Sequence, residues 1–191
     1  MTCRLAPLSL ALLLAATLPT AAAEYEIDTK GAHASINFRI PHLGYSWLVG
    51  RFDTFSGTFS YDEKNPGASK ISVEIDTASI NSNHAERDKH LRAADFLDVA
   101  QFSKATFVSR SVTPIGDGKA KIEGDLTLRG ITKPVTIDAA IVGGGNDPWG
   151  GYRQGFSGTA KLTLADFGIL KELGPASKAV ELDLHVEGIR K

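Results

Sequence analysis

Along most of the chain, apolar and polar residues alternate with a period of two. In 70–76, Ile71, Val73 and Ile75 interleave with Ser72, Glu74 and Asp76. In 121–130, Ile122, Leu126 and Leu128 stand against Lys121, Glu123, Asp125 and Thr127, and in 179–188 Val180, Leu182, Leu184 and Val186 stand against Glu181, Asp183, His185 and Glu187. The same rhythm runs through Ile36/Phe38/Ile40, Val135/Ile137/Ala139/Ile141 and Ala160/Leu162/Leu164. Successive strand side chains point to opposite faces, so each segment predicts a half-buried β-strand. With the Phe-, Thr- and Ser-rich stretches 50–61 and 104–112, about eight strands are expected.

Turn signals separate them: Asn65-Pro66-Gly67, Gly116-Asp117-Gly118, Arg129-Gly130 and the long loop predicted over 143–155. Only 83–99 carries a helical signature, with Asn83 and Glu86 resembling a capping pattern. Antiparallel strands with one apolar and one charged face build a closed barrel or a sandwich. A membrane-spanning barrel would put its apolar face outward around a polar lumen. Here the apolar rows are too continuous to line a wet channel.

Composition changes the picture at the start of the chain. Arg4 precedes the apolar run 5–18, and small residues follow in Pro19-Thr20-Ala21-Ala22-Ala23. This is the pattern of a Sec-type signal peptide over 1–23, cut after Ala22 or Ala23, and it predicts a periplasmic protein with one domain over 24–191. The single cysteine, Cys3, leaves with the leader. About 168 residues build a sufficient core without disulfides. Losing Arg4 leaves 20 basic against 22 acidic side chains. Such an interspersed, near-neutral balance lacks the basic stripe that nucleic acid requires. No second apolar stretch of about 20 residues follows, so no stable membrane insertion is expected.

Candidate chemistry is sparse. His84-Ala85-Glu86-Arg87-Asp88-Lys89-His90 clusters two histidines with two acids. His84 and Asp88 share a helical face at i, i+4, but His90 lies far round the helix, unlike a helical zinc pair. The Gly143–Gly151 segment lacks both the Gly-Lys-Ser/Thr and the following helix of a phosphate cradle. No mature cysteine and no Gly-x-Ser-x-Gly elbow supplies a nucleophile. The aromatics say more: Tyr45 and Trp47 fall beside Gly44 and Gly50, as at the rim of a barrel mouth or on a partner surface. Phe52 and Phe55 differ in parity, so either a bulge separates them or one faces out.

Four blocks, "HASINFRIPHLGYSWLVGRFDTFSGTF", "NHAERDKHLRAADFLD", "GDLTLRGITKPVTI" and "DFGILKELGPASKAVEL", occur in that order across the mature chain. Together they resemble the YceI family of polyisoprenoid-binding periplasmic proteins. Many members have His-Ser where this chain has His33-Ala34, so any role of that hydroxyl is absent. The resemblance implies an all-β, extended, eight-stranded, antiparallel lipocalin-like barrel with a short helical segment near its opening. It also implies an isoprenoid lipid inside (a prenyl quinone or polyprenyl phosphate), homodimers, and neither catalysis nor a cofactor or metal.

On this reading, inward rows from Phe38, Ile40, Phe59, Phe107, Leu126, Leu128 and Leu162 line the pocket. Leu43, Trp47, Leu91, Phe96 and Leu97 form its rim, and Arg87, His90 and His42, placed by the motif, meet the polar end of the lipid. Burial at about 0.8 kcal/mol per CH₂ gives about 3–4 kcal/mol for each isoprene unit, so the tail alone can supply the affinity. Two other readings remain: a metal-dependent periplasmic enzyme using His84, Asp88 and His90, and a barrel packed solid that acts as an interaction module through Tyr45 and Trp47.

Overall fold

The computed structural model describes residues 22–171 and 174–191. The predicted leader lies outside them, except for Ala22 and Ala23. Eleven strand segments follow in order: β1 (Ala23–Ile27), β2 (Ser35–His42), β3 (Ser46–Phe52), β4 (Phe55–Tyr61), β5 (Lys70–Asp76), β6 (Ile80–Asn81), β7 (Lys104–Gly116), β8 (Lys119–Leu128), β9 (Ile131–Asn146), β10 (Tyr152–Thr163) and β11 (Ala179–Arg190). One α-helix, α1 (Ala85–Leu91), sits between β6 and β7.

These segments make eight strands of a closed antiparallel barrel. β1 and β2 lie end to end along β11, pairing Tyr25 with Arg190 and Leu182 with Phe38. β3 pairs with β2, β4 with β1, β5 with β4, and β6 with β3, so the next two strands are also each in two pieces. The five long strands β7–β11 complete the circle, which closes where β1 meets both β4 and β11.

The breaks explain the parity of Phe52 and Phe55. The chain kinks at Asp53-Thr54, between β3 and β4, so both rings turn inward against Ile36, Ile75 and Ala105. β1 was not expected from the sequence; its five residues alternate Ala23, Tyr25 and Ile27 with two glutamates, a run too short to stand out beside the leader.

Two tight turns follow strand twist, which favours positive φ at both central residues. Leu43-Gly44 (φ 54° and 82°) joins β2 to β3, and Arg129-Gly130 (53° and 69°) joins β8 to β9. The predicted glycine loop is shorter than expected. Gly143–Gly145 continue β9, leaving 147–151 as the hairpin turn. A Cβ at position 144 would press on the amide end of the buried Gln154 side chain, which would have to shift.

The interior is apolar along its length. Tyr25, Ile27 and Phe59 cluster near one end; Phe107, Leu126, Leu162 and Phe167 fill the middle; Phe38, Ile80, Phe96, Leu97 and Ile169 occupy the end beside α1. Three inward phenylalanines each lie over a glycine: Phe38 and Phe107 over Gly50 and Gly124 of the neighbouring strands, and Phe59 over Gly188 of β11, across β1. Without a Cβ on those glycines, the rings lie flat against the wall. Tyr25 stacks on Phe59 at 4.8 Å between centroids.

Candidate functional site

The cluster that carried the sequence's strongest hint of chemistry is structural. His84 is the N-cap of α1, its Nδ1 accepting from the Arg87 amide at 3.2 Å, whereas Asn83, the expected cap, takes a positive φ of 61° before it. Asp88 is buried and accepts from the Ser82 amide (2.8 Å) and hydroxyl (2.5 Å). Burial alone would raise this carboxyl, but the Ser82 hydroxyl and amide bonds, with Arg92 and Arg87 nearby, hold it below the ordinary range. Arg87 donates to the Ser82 hydroxyl and carbonyl, at 2.8 and 2.6 Å. His90 pairs with Asp95 at 3.0 Å and sets its ring edge-on to Phe96. His84, Asp88 and His90 each have a protein partner, and they do not form a group of candidate ligands among the described residues.

Among the described residues, three candidate ligand groups meet only at Asp28, His33 and Glu187, whose ligand atoms lie within 4.8 Å of one another. The Arg153 guanidinium already joins that group, donating to Asp28 at 2.6 Å, Glu187 at 2.5 Å and Asp147 at 2.9 Å. The Arg153 and His33 bonds pull the Asp28 carboxyl down to about 2. This is an ion cluster that ties the start of the chain to β10 and β11.

Of the residues expected to line the pocket, Phe38, Phe59, Phe107, Leu126 and Leu162 are buried in the core clusters, and Leu128 packs at the edges of three of them. Ile40 is half-buried on the same row of β2. The expected rim divides. Leu91, Phe96 and Leu97 pack against Phe38 and Ile80 and cover the barrel end beside α1. Leu43 and Trp47 stay exposed on the β2–β3 hairpin with Tyr45, which is 86% exposed, and Arg39 stacks over Trp47 at 4.5 Å. His42 is exposed at the end of β2, and Arg87 and His90 are engaged as above.

An opening appears instead in the wall. β9 and β10 pair only from Tyr152↔Asn146 to Thr159↔Asp138. Beyond that point β9 continues alongside β8 as far as Ile131, while β10 follows β11 as far as Thr163. The two strands separate, leaving a cleft of about 850 Å³, within the size range of small-molecule sites. Val135, Ala160, Leu162, Leu182 and Phe167 form its apolar floor, continuous with the central core. Thr136, Asp138, Thr159, Lys161, Glu181 and Asp183 stand on its outer lip. The Arg129 guanidinium braces the nearby turn by donating to the Gly168 carbonyl (2.7 Å) and the Ala94 carbonyl (2.6 Å).

Known proteins share this architecture. UPF0312 proteins of Shewanella sp. (strain ANA-3) and Vibrio vulnificus (strain YJ016) are each 58% identical, over 178 and 182 residues, covering 93% and 95% of both chains. One from Ectopseudomonas mendocina is 61% identical over 170 residues, 89% of both chains. The Campylobacter jejuni YceI protein superposes with a TM-score of 0.71 at 30% identity, over 80% of this chain and 90% of that one. Two more distant structures share the fold. Burkholderia cenocepacia BcnA has a TM-score of 0.75 at 21% identity, over 84% and 98% of the two chains. A polyisoprenoid-binding domain from Saccharophagus degradans gives 0.64 at 15%, over 89% and 99%. The YceI-like domain model matches residues 25–188, nearly the whole barrel. The chain belongs to the YceI-like family.

Proposed function

We propose that this protein is a periplasmic, non-catalytic binding protein for a long-chain isoprenoid lipid, of the prenyl quinone or polyprenyl phosphate type, which it transports, stores or sequesters. The observation that carries the reading is the continuity of the β9–β10 cleft with an apolar interior. A tail laid there gains transfer free energy from every buried methylene without needing a catalytic group. The description of the Saccharophagus domain as polyisoprenoid-binding agrees with this reading. So does the structural employment of His84, Asp88 and His90. The exposed hairpin carrying Leu43, Tyr45 and Trp47 is the surface offered to a second copy in a homodimer.

The test is organic extraction of the protein purified from its native compartment, followed by mass spectrometry, with direct titration of a prenyl quinone. A copurifying prenyl lipid and saturable binding are expected. Recovery of no prenyl lipid together with no binding of the added quinone refutes the proposal.

A further inference from the structure

One charged side chain stands on the wrong face of the wall. Residues directly opposite in an antiparallel pair share a face. Val73 is opposite Phe107, Phe107 is opposite Leu126, and Leu126 is opposite Lys133. Along β9, Lys133 falls in the inward set with Ile131, Val135 and Ile137, all partly buried in the central core. A lysine in such a row is expensive to bury. Lys133 avoids that cost because β10 has left β9 at this point, so its side chain is exposed in the cleft. It has no ion-pair partner among the described residues. The other charges of the cleft belong to the outer lip or its end. Asp138 pairs with Lys121, Glu181 with Arg39, and Asp183 with His185, while Lys161 and Asp166 are exposed.

Resting on the lipid-binding reading above, we propose that the β9–β10 cleft is the lateral portal of the barrel, and that Lys133 selects an amphiphile with an anionic, phosphate-bearing head over a neutral one. The tail passes over Val135 and Leu162 toward Phe167 and the core, while the head stays at the cleft beside the ammonium. The arrangement separates two functions: apolar contacts set how tightly a chain is held, and one cation sets which head is preferred. Free phosphate offers the same anion without a tail, so the test must tell the two apart.

The experiment compares geranylgeranyl phosphate, geranylgeraniol and inorganic phosphate by calorimetric titration of the full-length mature protein and of its Lys133→Met and Lys161→Met variants. Matching thermal unfolding of the three proteins establishes that all are folded. The wild type should prefer the prenyl phosphate over the alcohol by about tenfold, a difference of about 1.4 kcal/mol. Lys133→Met should abolish that preference while leaving the alcohol's affinity nearly unchanged. Lys161→Met, on the outer lip, should keep the preference, and millimolar inorganic phosphate should not bind measurably.

A wild type that binds both prenyl compounds equally overturns the role of Lys133, as does a preference that survives Lys133→Met. Tight binding of inorganic phosphate would reassign the cleft to the free anion. Failure of the wild type to bind either prenyl compound would instead overturn the lipid-binding reading itself, and this inference with it.

Discussion

Asp88 holds Ser82 by two bonds, accepting from its amide at 2.8 Å and its hydroxyl at 2.5 Å, in a site sealed from solvent. The adjacent Arg87 donates to the same hydroxyl at 2.8 Å. The pair fastens the end of β6 to the first turn of α1, and through Leu91 and Phe96 it fixes the cover over that end of the barrel. Asp88→Ala would strand the Ser82 amide and hydroxyl and remove the nearby guanidinium's counter-charge. The expected loss is about 3 kcal/mol, or roughly 10 °C in the unfolding midpoint. His84→Ala, which removes only the N-cap acceptor, should cost about 1 kcal/mol. Chelators should leave the midpoint of the wild type unmoved; a chelator-induced drop would restore the metal reading of this segment.

Acid should also weaken the opposite end of the barrel. The Asp28 carboxyl titrates at about 2 when folded, against 3.8 as its ordinary value, chiefly through the Arg153 and His33 bonds. Because the folded value is depressed, the stabilisation is fully present above about pH 4 and is lost as pH falls through about 2. The shift corresponds to about 2 kcal/mol. Denaturant titrations of the wild type and Asp28→Asn across this window should show their stability difference shrinking toward low pH. A difference independent of pH would detach Asp28 from the acid response.

The cleft between β9 and β10 can be narrowed from its floor. Val135 is half-buried there, at the edge of the central cluster. Val135→Phe should fill part of the opening and weaken geranylgeraniol binding by about tenfold or more, one decade being about 1.4 kcal/mol. The unfolding midpoint should fall only slightly, since the added ring enters open space. Unchanged affinity would place the bound chain elsewhere.

Glycines beneath the interior rings should resist substitution. A Cβ at Gly188 would collide with the Phe59 ring, which is itself stacked on Tyr25 and set edge-on to Phe156 at 5.4 Å. Gly188→Ala should therefore cost about 2–3 kcal/mol through displaced aromatics, despite being a small change in size. Gly124→Ala, under Phe107, should behave alike. Thermal unfolding with near-ultraviolet circular dichroism would register both the loss and the altered ring packing.

The alternation of residues such as Ile71/Val73/Ile75 and Val180/Leu182/Leu184 made the strands and their inward faces legible, because a strand's two faces are local properties. The family blocks made the closed barrel legible. The separation of β9 from β10 was not, since pairing over part of a strand depends on where its neighbour bends. One trace of it was nevertheless present: Lys133 interrupts the apolar row Ile131/Val135/Ile137, and an inward cation demands an opening. The segment 83–99 signalled a helix but not its uses. The bonds of Asp88 to Ser82 and of His90 to Asp95 depend on how the chain turns before and after α1.

The closure of the barrel also has a temporal side. β1, near the start of the described chain, is held between β4 and β11, the last of the described strands. Until β11 is complete, Tyr25 has its β4 partner only and Ile27 has none, and β1 leaves an open edge of the kind that recruits other chains. Contacts that span so much sequence are slow to form. The molecule therefore spends its synthesis as an incomplete sheet, and residues 188–190 act as its latch. Without that pairing, β1 would keep one edge open to its neighbours.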